Sequence, residues 1–228
     1  MPSHKIHLAI AKKVNECLKL DQDSIMLGSI LPDISEEKDH SISHYQKGKK
    51  DFEGLANPNL FIKDNKKYLN NPVIIGMLIH ILTDRFYNNY MFTNFYIYDK
   101  DGNGIGIKMK SKEVLMDAKM RKHYKQREFW LYDKWLLNHN LISKFKSYKC
   151  IDNVINTKTF TFDKEKIKRY IESANKDIDK VNMFSKIMFY NFKITNKKTL
   201  DKMFNECVEY ILKYLKENKV MGDINGII

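Results

Sequence analysis

Two side chains can do chemistry together that neither does alone. His80 and Asp84 stand four residues apart in Val73-Ile74-Ile75-Gly76-Met77-Leu78-Ile79-His80-Ile81-Leu82-Thr83-Asp84. At helical spacing they share one face, about 6 Å apart. The stretch is apolar on nearly every side, so its helix is expected to be buried. A carboxylate taken out of water without a partner costs several kcal/mol. A divalent cation chelated by the imidazole and the carboxylate would offset that cost. So would a His–Asp hydrogen bond inside the core, and the H-x-x-x-D spacing does not choose between them.

Three more residues extend the pattern. His7 lies on the apolar face formed by Ile10, Ala11, Val14, Cys17 and Leu18, where exposure to solvent does not account for it. Asp33 closes Gly28-Ser29-Ile30-Leu31-Pro32-Asp33, and a turn aspartate is the plain reading there. His44 follows an acidic loop in Ser43-His44-Tyr45, where a surface histidine is the plain reading. Each plain reading holds singly. Taken in order, the chain supplies His, Asp, His and then His-x-x-x-Asp.

That order resembles the zinc-dependent phospholipase C family, and more distantly the zinc-dependent single-strand nucleases. Residues 1–95 carry the resemblance: Met1-Pro2-Ser3-His4-Lys5-Ile6-His7, the Gly28-to-Asp33 stretch, Ser43-His44-Tyr45 and the Gly76-to-Asp84 helix. It implies an all-α hydrolase with metal held between helices. One ion would take Asp33, His44, His80 and Asp84, and Asp84 would bridge to a second ion on His7. His4, three residues before His7, is a further candidate for that second ion or an exposed first-turn residue. Asp33 and Asp84 would be the catalytic carboxylates, with Asp33 either accepting a proton from the attacking water or only binding metal. The resemblance favours one or two zinc ions, while the N/O donor set equally suits iron, manganese or nickel. Such an ion acidifies bound water and stabilises a phosphoryl transition state.

The chain also departs from the family. Tyr90 stands where a histidine is usual six residues after the helix aspartate. No H-x-x-x-E follows; Phe129 with Asp133, and His123 with Glu128, do not make the pattern. A third metal is therefore not expected, which weakens phospholipid cleavage as the specific reaction. The reading is a metal-dependent phosphoester hydrolase acting on a small phosphorylated substrate or a lipid headgroup. One alternative is an HD-type nucleotide phosphohydrolase, although that family needs an adjacent His-Asp and Asp39-His40 is reversed. Another is a non-catalytic scaffold stabilised by metal.

The elements that must position these residues follow from the punctuation. All four prolines lie in the first 72 residues, and from 107 to 221 there is neither Gly nor Pro. Such a run argues for long helices. Helices are expected over 3–20, 24–30, 59–69, 72–95, 112–126, 128–146, 164–190 and 198–217, with a polar loop at 33–43. Ser3 is the expected first N-cap, and Pro72 suits the first turn of the apolar helix. A small hairpin insertion is expected near 98–108. The whole reads as one all-α multi-helix bundle over residues 1–228, with the metal site between its N-terminal helices. Asp99-Lys100-Asp101-Gly102-Asn103-Gly104 matches half of an EF-hand loop, but Lys110 occupies the twelfth position, which favours a hairpin turn over calcium. The aromatics from Phe86 to Tyr96 read as packing rather than as a substrate mouth.

Composition sets the outer limits. The 228 residues are 43% hydrophobic and 12% aromatic, enough for a sizeable core and too apolar for wholesale disorder. Neither a membrane span nor a signal peptide is expected. Three widely spaced cysteines, Cys17, Cys150 and Cys207, form no disulfide framework, and the cytoplasm is the expected compartment. Forty Lys and Arg against 28 Asp and Glu leave +12. The lysines are scattered, so a nucleic-acid partner is compatible with the charge but not favoured.

Overall fold

The computed structural model describes residues 2–48, 51–180 and 190–220. It is mostly helical, with nine α-helices and one small sheet among the described residues. The expected all-α architecture is what the chain adopts.

The centre of the molecule is the 24-residue helix α6, Pro72–Phe95. Asn71 caps it, its side chain accepting from the Val73 N–H at 2.8 Å, and Pro72 opens the first turn. Every residue from Val73 to Asp84 is buried, which an all-round apolar helix requires. Against it pack α1 (His4–Leu18), α2 (Gln22–Gly28) and the C-terminal α9 (Lys197–Glu217). Helix α1 ends at Lys19, whose φ of 56° gives a left-handed cap. Asn15 holds the turn that follows, bonded to both the N–H and the carbonyl of Leu20.

Three short helices carry the chain from α2 to α6: α3 (Leu31–Ile34), α4 (His40–Ser43) and α5 (Pro58–Asn65). The polar loop expected over 33–43 does not begin directly after Pro32. Pro32 sits in the first turn of α3, so Asp33 is helical rather than part of a loop. A three-stranded antiparallel meander follows α6: β1 (Tyr96–Tyr98), β2 (Gly104–Lys108) and β3 (Glu113–Leu115). The expected hairpin is present. Its turn uses Gly102 at φ +76°, and the Asp99 carboxylate accepts from the N–H groups of Asp101 and Asn103.

The second half corrects two expected helices. Residues 112–126 and 128–146 do not form a pair: 113–115 is β3, and a single helix α7 spans Ala118–Asn138. Asp117 caps its start by accepting from the Met120 N–H. It ends at Asn140, where φ is 58° and the Leu141 N–H returns to the Leu136 carbonyl. That is a helix stop which asparagine supports without glycine. Helix α8 covers Lys164–Asp179; the expected continuation over 181–189 lies outside the described residues. Among the described residues no helix is long and apolar enough to cross a membrane.

Candidate metal centre

Four elements bring the site together. Helix α1 supplies His7, α6 supplies His80 and Asp84, α3 supplies Asp33, and His44 is the residue on which α4 ends. Asp39 fixes that last element by accepting from the Ser41 N–H at 2.8 Å. All five residues that the sequence singled out converge. His7, His44, His80 and Asp84 are 0% exposed, and the Asp33 side chain keeps 11%.

Around Asp84 the donor atoms lie at distances that direct hydrogen bonding does not explain, whereas His44 Nε2 and Asp33 Oδ1 are a hydrogen-bonded pair. His7 Nε2 is 3.5 Å from Asp84 Oδ1, and His80 Nε2 is 3.5 Å from Asp84 Oδ2. His44 Nε2 lies 3.8 Å from Asp84 Oδ2 and 3.0 Å from Asp33 Oδ1. The imidazoles of His7 and His80 stack at 3.9 Å, 14° from parallel. Both Asp84 oxygens, both His7 nitrogens and His80 Nε2 are buried without a hydrogen-bond partner among the described residues. Such a set of orphans is costly in a dry interior.

Two histidines have their outer nitrogens held from outside. His80 Nδ1 is 2.8 Å from the Ser29 carbonyl, and His44 Nδ1 is 2.9 Å from the His40 carbonyl. A carbonyl oxygen only accepts, so Nδ1 carries the proton in His80; His44 Nδ1 also lies 2.9 Å from the Ser43 hydroxyl, which can donate to it. In neutral His80 this leaves Nε2 as a bare lone pair directed at Asp84. Metal-ligating histidines are held in this way by their outer nitrogen. His7 has no such partner among the described residues.

A cation fits this arrangement. Ligands about 2.0–2.1 Å from a tetrahedral ion stand about 3.4 Å from one another. The observed separations of 3.0–3.8 Å bracket that spacing. Among the described residues three overlapping donor groups satisfy the proximity needed for an ion: His7, Asp33 and His80; His44, His80 and Asp84; and Asp33, His40 and His44.

The electrostatics are those of buried acids and bases sharing one space. Burial pushes His7 down to about 4, and His80 lowers it further against the pull of Asp84. Burial also lowers His80, but Asp33 and Asp84 outweigh it and lift the ring to about 8. Burial raises Asp84 and Asp33 too, yet His80 and the other imidazoles hold both carboxyl groups well below the usual range. Both acids are therefore ionised, ready to act as ligands.

Other residues occupy different places from those expected. His4 does not join His7 on Asp84; its Nε2 lies 3.2 Å from Asp33 Oδ2, with its ring edge against Tyr170. His40 had no expected role and is one of the donors around Asp33 and His44. The only sequence signal for it was its i, i+4 spacing to His44. Glu128 is wholly committed elsewhere, accepting from the Lys193 N–H and from the N–H and hydroxyl of Thr195 at 2.6–2.9 Å. Tyr90 packs against Phe86 and Phe95.

Comparison with protein-family models, with curated proteins and with solved structures finds no match. Fold and donor geometry thus define the class by themselves: a mostly helical chain whose buried histidines and aspartates could hold a metal ion.

Proposed function

We propose that this chain is a metal-dependent hydrolase of phosphoesters. The observation that carries the reading is the spacing of its orphaned donors, 3.5 Å from Asp84 to both His7 and His80, with no hydrogen bond to relieve them. His80, Asp84, His44 and Asp33 would hold one ion, and His7 with the second oxygen of Asp84 another. The resemblance to zinc-dependent phospholipases C supports zinc; iron, manganese and nickel suit the same donors. When bound, the ion supplies Lewis acidity that polarises a phosphoryl oxygen and acidifies water.

The chain's own groups supply the rest. Asp33 is the ligand nearest solvent, and its Oδ2 faces His4 at 3.2 Å. Asp33 would either only bind the ion or accept the proton of the attacking water, with the half-exposed His4 beside it to carry that proton outward. The Ser29 carbonyl keeps the lone pair of His80 turned inward throughout. The substrate is a small phosphorylated molecule or a lipid headgroup, and the three free cysteines suit a reducing cytoplasm.

The near-complete burial of the ligands favours a second reading, a scaffold whose ion only stabilises the fold. Metal analysis of the purified protein, with bis(4-nitrophenyl) phosphate and 4-nitrophenyl phosphate as substrates, separates the two. Bound metal with turnover that is lost in His80→Ala supports the hydrolase. Bound metal without turnover of either ester supports the scaffold.

A further inference from the structure

The face of α6 that carries His80 and Asp84 continues one turn further, to Asn88. There Lys125 Nζ, from α7, donates to Asn88 Oδ1 at 2.7 Å. Lys125 is 6% exposed and also stands over the Phe92 ring, 4.9 Å from its centre. Among the described residues no carboxylate pairs with this ammonium. A buried cation served, among the described residues, by one neutral oxygen and an aromatic face has donors to offer an anion. Burial pushes Lys125 down to about 8, against the opposing pull of Asp51 and Asp84, so it remains charged at neutral pH.

The lysine is not sealed into the core. It lines a cavity of about 630 Å³ together with His40, Asp51, Asn88, Phe92 and Lys122. This is the size of a small-molecule site. His40 joins the cavity to the metal centre, since its ring nitrogen lies within 4.8 Å of donor atoms of Asp33 and His44. Asp51, the acid of the wall, accepts from the Tyr98 hydroxyl at 3.3 Å.

We propose that this cavity binds the phosphate-ester anion beside the metal centre, with Lys125 and Lys122 receiving its oxygens. Its part in turnover rests on the hydrolase reading, whereas its affinity for the anion does not. An ammonium held in place by Asn88 and shielded from water binds such an anion more tightly than a surface lysine does. Asn88 is then a positioning residue, fixing Lys125 relative to Asp84.

The test is titration of inorganic phosphate into the protein at pH 7 and constant ionic strength, followed by calorimetry, for the wild type, Lys125→Met and Lys125→Arg. Lys125→Met is expected to weaken phosphate binding about tenfold or more, and Lys125→Arg to keep most of it. Metal content stays at the wild-type level in both, and the melting temperature of Lys125→Met does not fall. Should the ester be hydrolysed, Lys125→Met raises KM and leaves kcat nearly unchanged. If the protein holds no metal and hydrolyses nothing, but phosphate affinity still depends on Lys125, the hydrolase reading fails and the anion site stands. Phosphate affinity unchanged in Lys125→Met overturns the proposal, whatever the activity. So does affinity that vanishes with a chelator and ignores Lys125, or a Lys125→Met protein that only melts earlier.

Discussion

Gly28 and Gly76 meet backbone to backbone where α2 crosses α6. A Cβ on Gly28 would overlap the Val73 carbonyl oxygen and lie 2.8 Å from Gly76 Cα. A Cβ on Gly76 would overlap the Ile25 carbonyl oxygen and lie 3.0 Å from Ser29 N. The crossing has a chemical consequence. Ser29 follows Gly28, and His80 stands one turn beyond Gly76, so the contact delivers the Ser29 carbonyl to His80 Nδ1 at 2.8 Å. Helix packing thereby sets the tautomer of a candidate ligand.

Gly76→Ala should therefore injure the fold and the site together. The added methyl meets backbone, which cannot swing aside, and a cost of about 3 kcal/mol is expected. Thermal melting with metal analysis checks this, using Gly102→Ala as a comparison. That residue has open space but φ +76°, so its change strains only the hairpin turn and leaves metal content intact. Equal metal content in Gly76→Ala and wild type would contradict the coupling.

Chelation should destabilise the wild type and leave His80→Ala unmoved. An ion present at about 1,000 times its Kd adds about 4 kcal/mol to stability, and its removal lowers Tm by about 10 °C in a chain of this size. His80→Ala is expected to melt early already and to show no further drop with chelator. A wild-type melting curve indifferent to chelator would count against a structural ion.

Much of this was legible in the residues, for definite reasons. An apolar helix makes an embedded His-x-x-x-Asp conspicuous, and Pro72 announces where that helix starts. Helix α7 was harder to read because Arg121, Lys125, Glu128 and Asp133 are all buried on it. Their partners come from distant segments: the Asn88 side chain for Lys125, Thr195 for Glu128, and Ser3 near Asp133. Apolar periodicity cannot reveal a face built from polar residues satisfied in tertiary structure. Strand β3 escaped notice for a related reason, since its hydrogen bonds belong to β2. His40 was hidden by its polar surroundings, where no burial argument could reach it.

Asp133 predicts a pH dependence of stability. Burial pushes its carboxyl up to about 7, against the Ser3 hydroxyl, Lys5 and His4. The folded state thus holds this proton more tightly than the unfolded chain, whose aspartates titrate near 3.9. The stabilising contribution is complete below the unfolded value and is lost as pH rises through 7. Asp133→Asn does not titrate, so its stability relative to wild type should climb between pH 4 and 8, by up to about 4 kcal/mol. Denaturant unfolding at a series of pH values measures it, and a difference independent of pH would refute the assignment.

Glu128 predicts the opposite separation of fold from site. Its carboxylate gathers two N–H groups and a hydroxyl from residues 193–195, tying that segment to α7. Charge-assisted hydrogen bonds of this kind contribute about 1.5–3 kcal/mol each. Glu128→Gln turns one acceptor oxygen into a donor and should cost about 2–3 kcal/mol while metal content stays unchanged. Loss of metal in Glu128→Gln, in a protein that still folds, would give this carboxylate a role in the centre.

The decisive measurement is a crystal structure of the purified protein with anomalous scattering data collected above and below the metal absorption edge. An anomalous peak bonded to His80 Nε2 and Asp84 Oδ2 is expected, with His80 Nδ1 still on the Ser29 carbonyl. An empty anomalous map, with His80 Nε2 drawn into a direct hydrogen bond to Asp84, would contradict this expectation.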